Sequence, residues 1–93
     1  MRAAGFEWDE GNRVKCQKHG MTTGEIEEVF TGLLQVAPDL KHSETEARQL
    51  AMGRTAAGRA AFVVFTMRGD RIRPLSARFM HQQEVDRYDP QGS

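Results

Sequence analysis

Ala60-Ala-Phe-Val-Val-Phe-Thr-Met-Arg-Gly-Asp-Arg-Ile-Arg-Pro-Leu-Ser-Ala-Arg78 is the stretch on which the fold turns. Its first part, residues 60–67, is rich in β-branched and aromatic residues and reads as a strand. Apolar side chains on both of its faces predict cover on both sides. Arg68-Gly69-Asp70 supplies a tight turn, and residues 71–77 form a second strand. Short connections make the pair antiparallel. Pro74 lacks an amide donor, so its position falls at an edge, a bulge or an unpaired point of the ladder.

Working upstream, residues 48–55 alternate in part, with Leu50 and Met52 expected to face the core, and Ala57-Gly58 turns the chain into the central strand. The last three strands thus form a meander. Residues 33–37 read as a further strand ended by Pro38-Asp39, and residues 39–47 as a polar, irregular loop. Nearer the N-terminus, residues 6–8 suggest a short strand, with Asp9 placed to cap a helix over residues 10–19. Val14 and Cys16 are its apolar positions, and Gly20 ends it. Thr22 and Glu25 form a capping box for a second helix, with Met21 as a hydrophobic staple. Ile26, Val29 and Phe30 share one face, and Gly32 closes the helix. Downstream, residues 81–88 read as a terminal helix and residues 89–93 as a tail. The expectation is one α+β domain over residues 1–93, a small antiparallel sheet packed with two N-terminal helices and one C-terminal helix.

The 93 residues are 39% hydrophobic and 28% charged, which excludes a disordered chain. No apolar run is long enough for a bilayer span, and the N-terminus has no apolar signal core, so no membrane role is expected. Cys16 is the single cysteine. It excludes an internal disulfide and a cysteine-rich metal site, and fits a cytoplasmic protein. There is no H-x-x-x-H, C-x-x-C or EF-hand pattern and no glycine-rich phosphate fingerprint, so neither a metal nor a cofactor is expected.

Formal charge is +0 over the chain, which conceals a split. Residues 1–47 hold five Lys/Arg against nine Asp/Glu, and residues 48–93 hold eight against four. Seven arginines between Arg48 and Arg78 share their segment with one acid, Asp70. Any one of them is as readily a solvated surface residue, but one local carboxylate cannot neutralise the group. Guanidinium groups bind phosphate bidentately and stack on bases, so nucleic acid leads among anionic ligands. Arg59, in a turn, reads as peripheral. Glu84 and Tyr88 share a helix face. An Arg78–Glu84 ion pair is compatible with Arg78 on phosphate, Glu84 orienting it, and Tyr88 stacking on a base.

RNA cleavage without a metal needs groups that take up and deliver protons near neutral pH. His19, His42 and His81 are the histidines available, with Lys18 and Lys41 as charged donors. No pair has diagnostic spacing, so the general base stays open at this level.

In order along the chain, Phe6-Glu-Trp-Asp9, Lys18-His-Gly20, Glu28-Val-Phe30, His42-Ser-Glu44 with Glu46 and Arg48, Gly53-Arg54, Val63-Val-Phe65, Arg68 and Ile72-Arg-Pro-Leu-Ser-Ala-Arg78, followed by Glu84 and Tyr88, resemble the BrnT-type toxins of type II toxin–antitoxin systems. The resemblance implies a RelE-like fold and a cytoplasmic, metal-independent endoribonuclease. It also implies a BrnA-type ribbon-helix-helix antitoxin, two toxins bound to an antitoxin dimer, and operator DNA contacted through the antitoxin. The site residues it implies are Arg54, Arg68, Arg73, Arg78 and Tyr88, followed by Lys18, His19 and His42. Pro74 stands where relatives carry aliphatic residues, which puts the placement of Arg73 relative to Arg78 in question. A noncatalytic module that binds RNA or the antitoxin is the alternative.

Overall fold

The computed structural model describes residues 3–39 and 47–88. In chain order it contains β1 (Gly5–Phe6), α1 (Glu10–Cys16), α2 (Thr23–Val29), β2 (Gln35–Pro38), β3 (Gln49–Arg54), β4 (Ala60–Arg68), β5 (Arg71–Phe79) and α3 (Gln82–Tyr88). The five strands form one sheet of order β1-β5-β4-β3-β2. Strands β2 to β5 are antiparallel neighbours, and β1 adds a short parallel pair, Gly5 opposite Arg71 and Phe6 opposite Ile72. This is the expected α+β, RelE-like architecture with one parallel pair at its edge. Most of the expected polar loop and the whole tail lie outside the described residues.

The β4–β5 hairpin turns through Gly69-Asp70, where Gly69 takes the positive φ of +61° that a two-residue hairpin loop needs. The ladder is regular from Arg68 opposite Arg71 to Phe65 opposite Pro74, then shifts register before Val64 opposite Ser76. Pro74 therefore sits beside a bulge, as its missing amide requires.

Both N-terminal helices begin with reciprocal caps. Thr22 Oγ1 accepts from the Glu25 amide at 3.1 Å, while Glu25 accepts from the Thr22 amide at 2.9 Å. In α1 the pairing is Asp9 with Asn12, at 3.0 and 2.7 Å. Each such cap stabilises its helix by about 1 kcal/mol. Asn12, which is buried, then uses Nδ2 to reach the carbonyls of Glu7 and Pro74, both at 2.9 Å. A helix-capping residue thus doubles as the polar bolt between α1 and the bulged part of β5.

Helix α1 packs on β5, and α2 on β3 and β4. The core lies between these helices and one face of the sheet, with Cys16, Met21, Ile26, Val29, Val63 and Phe65 fully buried. The large aliphatic and aromatic members each contribute about 1.5–3 kcal/mol by leaving water. Edge-to-face contacts of Phe30 with Phe6 and Phe65, at 5.5 and 5.2 Å between ring centres, join β1, α2 and β4.

Two expectations are corrected. Ala51, Gly53 and Thr55 of the β3 region face the core, whereas Leu50 and Met52 are half-buried on the opposite face. The cause is the closeness of α2. A Cβ on Gly53 would meet the Val29 carbonyl oxygen at 2.9 Å, so only small residues fit beneath that helix. Nor is β4 covered by helices on both faces: among the described residues α1 and α2 pack on one, and Phe62 and Val64 on the other stay half-buried.

Candidate active site on the open face of the sheet

Strand pairing sets Leu50, Val64 and Ser76 in one row across β3, β4 and β5, and Met52, Phe62 and Arg78 in the next. These side chains share the face that α1 and α2 leave open. A cleft of about 380 Å³ lies there, floored by Leu50, Phe62 and Val64 and rimmed by Ser76, Arg78 and His19. His19 comes from the turn over residues 17–19 that follows the end of α1 at Cys16. Lys18, in the same turn, is exposed and does not line the cleft.

Arg78 is fixed from two sides. Its guanidinium meets both Glu84 oxygens, at 2.8 and 2.7 Å, and lies 4.9 Å from the centre of the Phe62 ring. A third N–H reaches the Phe79 carbonyl at 3.3 Å, which leaves two of the five guanidinium donors without a partner among the described residues. Glu84 holds Arg78 above its already high ordinary pKa despite partial desolvation. In return Arg78, helped by the His81 amide, pulls Glu84 down to about 2. The pair is ionised throughout the physiological range.

The same helix reaches a second arginine. Tyr88, one turn beyond Glu84, has its ring centre 5.9 Å from the Arg54 guanidinium, which also donates to the Gly58 carbonyl at 2.8 Å. Strand geometry sets the Cα atoms of Arg54 and Arg78 roughly 12 Å apart. Thus Arg54, Arg78 and Tyr88 come together along α3, with His19 across the cleft.

Arg73 and Arg68 are placed elsewhere. Arg73 is bound by Glu7 and Asp9, each at 3.0 Å, with only 16% of its side chain exposed. Burial opposes its charge but is outweighed by these two acids, and Asp9, held by the Asn12 amide and by Arg73, titrates below the usual carboxylate range. Arg68 is exposed at the hairpin tip opposite Arg71, roughly 20 Å along β4 from Phe62. His42 lies outside the described residues. Arg59 stacks on Phe79 at 3.5 Å, away from the cleft lining.

Sequence reasoning missed the cleft floor and Ser76. Their signal is the surplus of apolar residues in β4: a single layer of short helices cannot cover both faces of a nine-residue strand. Among the described residues no three or more His, Cys, Asp or Glu gather as metal ligands, and no helix is long and apolar enough to cross a membrane.

The open sheet face of this small RelE-like α+β domain thus joins an apolar floor with one aromatic ring, Phe62, to a histidine and an oriented arginine. The family model for the ribonuclease toxin BrnT of type II toxin–antitoxin systems matches residues 8–84, well over half of the chain, and the chain belongs to that family. It is a ribonuclease toxin, with RNA as its substrate and a cognate antitoxin as its partner. No curated protein matches the chain.

Proposed function

We propose that the protein cleaves single-stranded RNA on the open sheet face by attack of the ribose 2′-oxygen on the adjacent phosphorus, without a metal ion. The observation that carries this reading is the shared cleft of His19 and Arg78. His19 takes the proton of the 2′-hydroxyl, the new 2′-O–P bond forms, and the P–O5′ bond breaks. Water in the open cleft protonates the departing 5′-oxygen, and His19 returns its proton to solvent. The products are a 2′,3′-cyclic phosphate and a 5′-hydroxyl.

The phosphorane gains negative charge as the bond forms, and the two remaining N–H groups of Arg78 are the donors to meet it. Glu84 and Phe62 fix the guanidinium beforehand, so no reorganisation is needed during the reaction. Arg54 and Tyr88 hold the neighbouring part of the strand. Lys18 and Arg68 contribute long-range attraction for the RNA backbone, His42 remains an alternative proton carrier, and Arg73 braces β1 and α1 against β5.

Family membership supports the rest of the reading. A ribbon-helix-helix antitoxin dimer of the BrnA type binds two copies of the toxin in the cytoplasm, blocks the open face and carries the complex to operator DNA.

The test is incubation of purified, partner-free protein with end-labelled RNA in EDTA, followed by identification of the product ends. Cyclic phosphate ends that disappear with His19→Ala and Arg78→Ala support the mechanism. Cleavage abolished by EDTA overturns the metal-free reading, and unchanged cleavage by both variants removes the cleft from the chemistry.

A further inference from the structure

A second pocket, of about 410 Å³, lies at the end of the sheet between the last turn of α2, the end of β3 and the terminal helix. That size is in the range of small-ligand sites. Its walls include Tyr88, Arg54, Leu33 and Glu28. Tyr88 and Arg54 offer an aromatic ring and a guanidinium, the two groups on which nucleobases stack. Leu33 is 94% exposed, an apolar surface that nothing among the described residues covers.

Glu28 is the residue that gives the pocket its selectivity. Its Oε1 accepts from the Ala56 amide at 3.0 Å, which fixes the carboxylate, and Oε2 has no partner among the described residues. A fixed carboxylate repels phosphate, so this pocket suits a base rather than the backbone. Acceptors alone select among bases. Guanine presents two adjacent donors, N1–H and the 2-amino group, to a carboxylate. Adenine and cytosine each set one amino group beside a ring-nitrogen acceptor, and uracil flanks one N–H with two carbonyls.

We infer that this pocket is a guanine subsite, in which Tyr88 and Arg54 stack on the base and the Glu28 carboxylate reads its Watson–Crick edge. The inference rests on the ribonuclease reading for its biological ligand, a guanosine of the RNA strand whose backbone passes Arg78. The site was hidden in the sequence because Glu28 and Tyr88 are 60 positions apart and only the fold joins them.

The deciding experiment is an NMR titration of the intact protein with guanosine, inosine and adenosine 3′-monophosphates, alongside mapping of cleavage positions on a mixed-sequence RNA. Guanosine monophosphate is expected to bind about tenfold more tightly than adenosine monophosphate, with inosine, which lacks the 2-amino group, in between. The Ala56 amide is expected to shift. Glu28→Gln keeps an oxygen for the Ala56 amide but turns an N–H₂ toward the base, so it folds and loses the preference for guanine. Equal affinities, or a preference that survives Glu28→Gln, overturn the subsite. RNA cleavage with no guanine preference in binding or cutting leaves the ribonuclease reading standing and removes this one. A guanine preference without RNA cleavage does the reverse.

Discussion

The two faces of the sheet use the same strands for opposite ends. Beneath α1 and α2 lie Ala51 opposite Val63 and Gly53 opposite Ala61, with Phe65 farther along β4, and all of them are buried. On the other face Leu50, Phe62 and Val64 remain half-buried around a cleft edged by charge. The arginines of β5 follow this division. Arg73 is bound by two acids, Glu7 just after β1 and the α1 cap Asp9, whereas Arg78 is bound by one acid of α3, a helix with no buried residue. The first arrangement closes the fold. The second holds a cation in position beside open space, at the end of a helix that contributes little to the core.

The division is sharpest in rate. Arg78→Ala is expected to lower the cleavage rate by about 100–1000-fold, as for the loss of one preorganised transition-state donor. Its thermal unfolding should change by less than about 1 kcal/mol, because the pair it loses is partly exposed. On the covered face the balance reverses. Gly53→Ala forces a Cβ against the Val29 carbonyl oxygen and should cost about 1–3 kcal/mol in urea unfolding. Arg73→Ala is expected to lower the urea midpoint, read from the same unfolding curves, by removing a largely covered side chain that ties the segment of Glu7 and Asp9 to β5. A loss of rate without a loss of stability in that variant would move Arg73 to the open-face chemistry.

Acid gives the smallest and most local effect. The Glu84 pKa is lowered from 4.5 to about 2, so the Arg78–Glu84 pair contributes fully above pH 4.5 and its contribution is lost as pH falls from there toward 2. Tyr88 is the single tyrosine, and a fluorine label on it reports the docking of α3. Its signal should titrate near pH 2; a midpoint near 4.5 would mean that Glu84 does not grip Arg78 in solution.

Much of the fold was legible in local chemistry. The turn at Gly69, the Thr22–Glu25 box and the bulge beside Pro74 each follow from what one or two residues can and cannot do. The phase of β3 was not legible. Leu50 and Met52 look like core residues, but it is Ala51 and Gly53, alternating with them, that lie on the covered face, where α2 leaves no room for a Cβ on Gly53. The two-residue β1 was equally hidden in its direction, because its pairing depends on β5, more than sixty positions away.

The site was legible as a set of residue types rather than as a place. A surplus of arginine pointed to an anionic ligand, and the short spacing from Arg78 to Glu84 announced the ion pair that the fold forms. What separated Arg73 from Arg78 was the location of Glu7 and Asp9, which no local pattern contains. Asn12 shows the same limit: its place three residues after Asp9 announces a cap, but not the hydrogen bond to Pro74.

The most direct measurement is a map of amide shifts on adding an RNA oligonucleotide whose 2′-hydroxyls are replaced by hydrogen, which binds without being cut. Shifts are expected at Phe62, Val64, Ser76 and Arg78, on the open face, with Tyr88 following. Shifts confined to the outer surfaces of α1 and α2, with those residues unmoved, would contradict an RNA-cleaving open face.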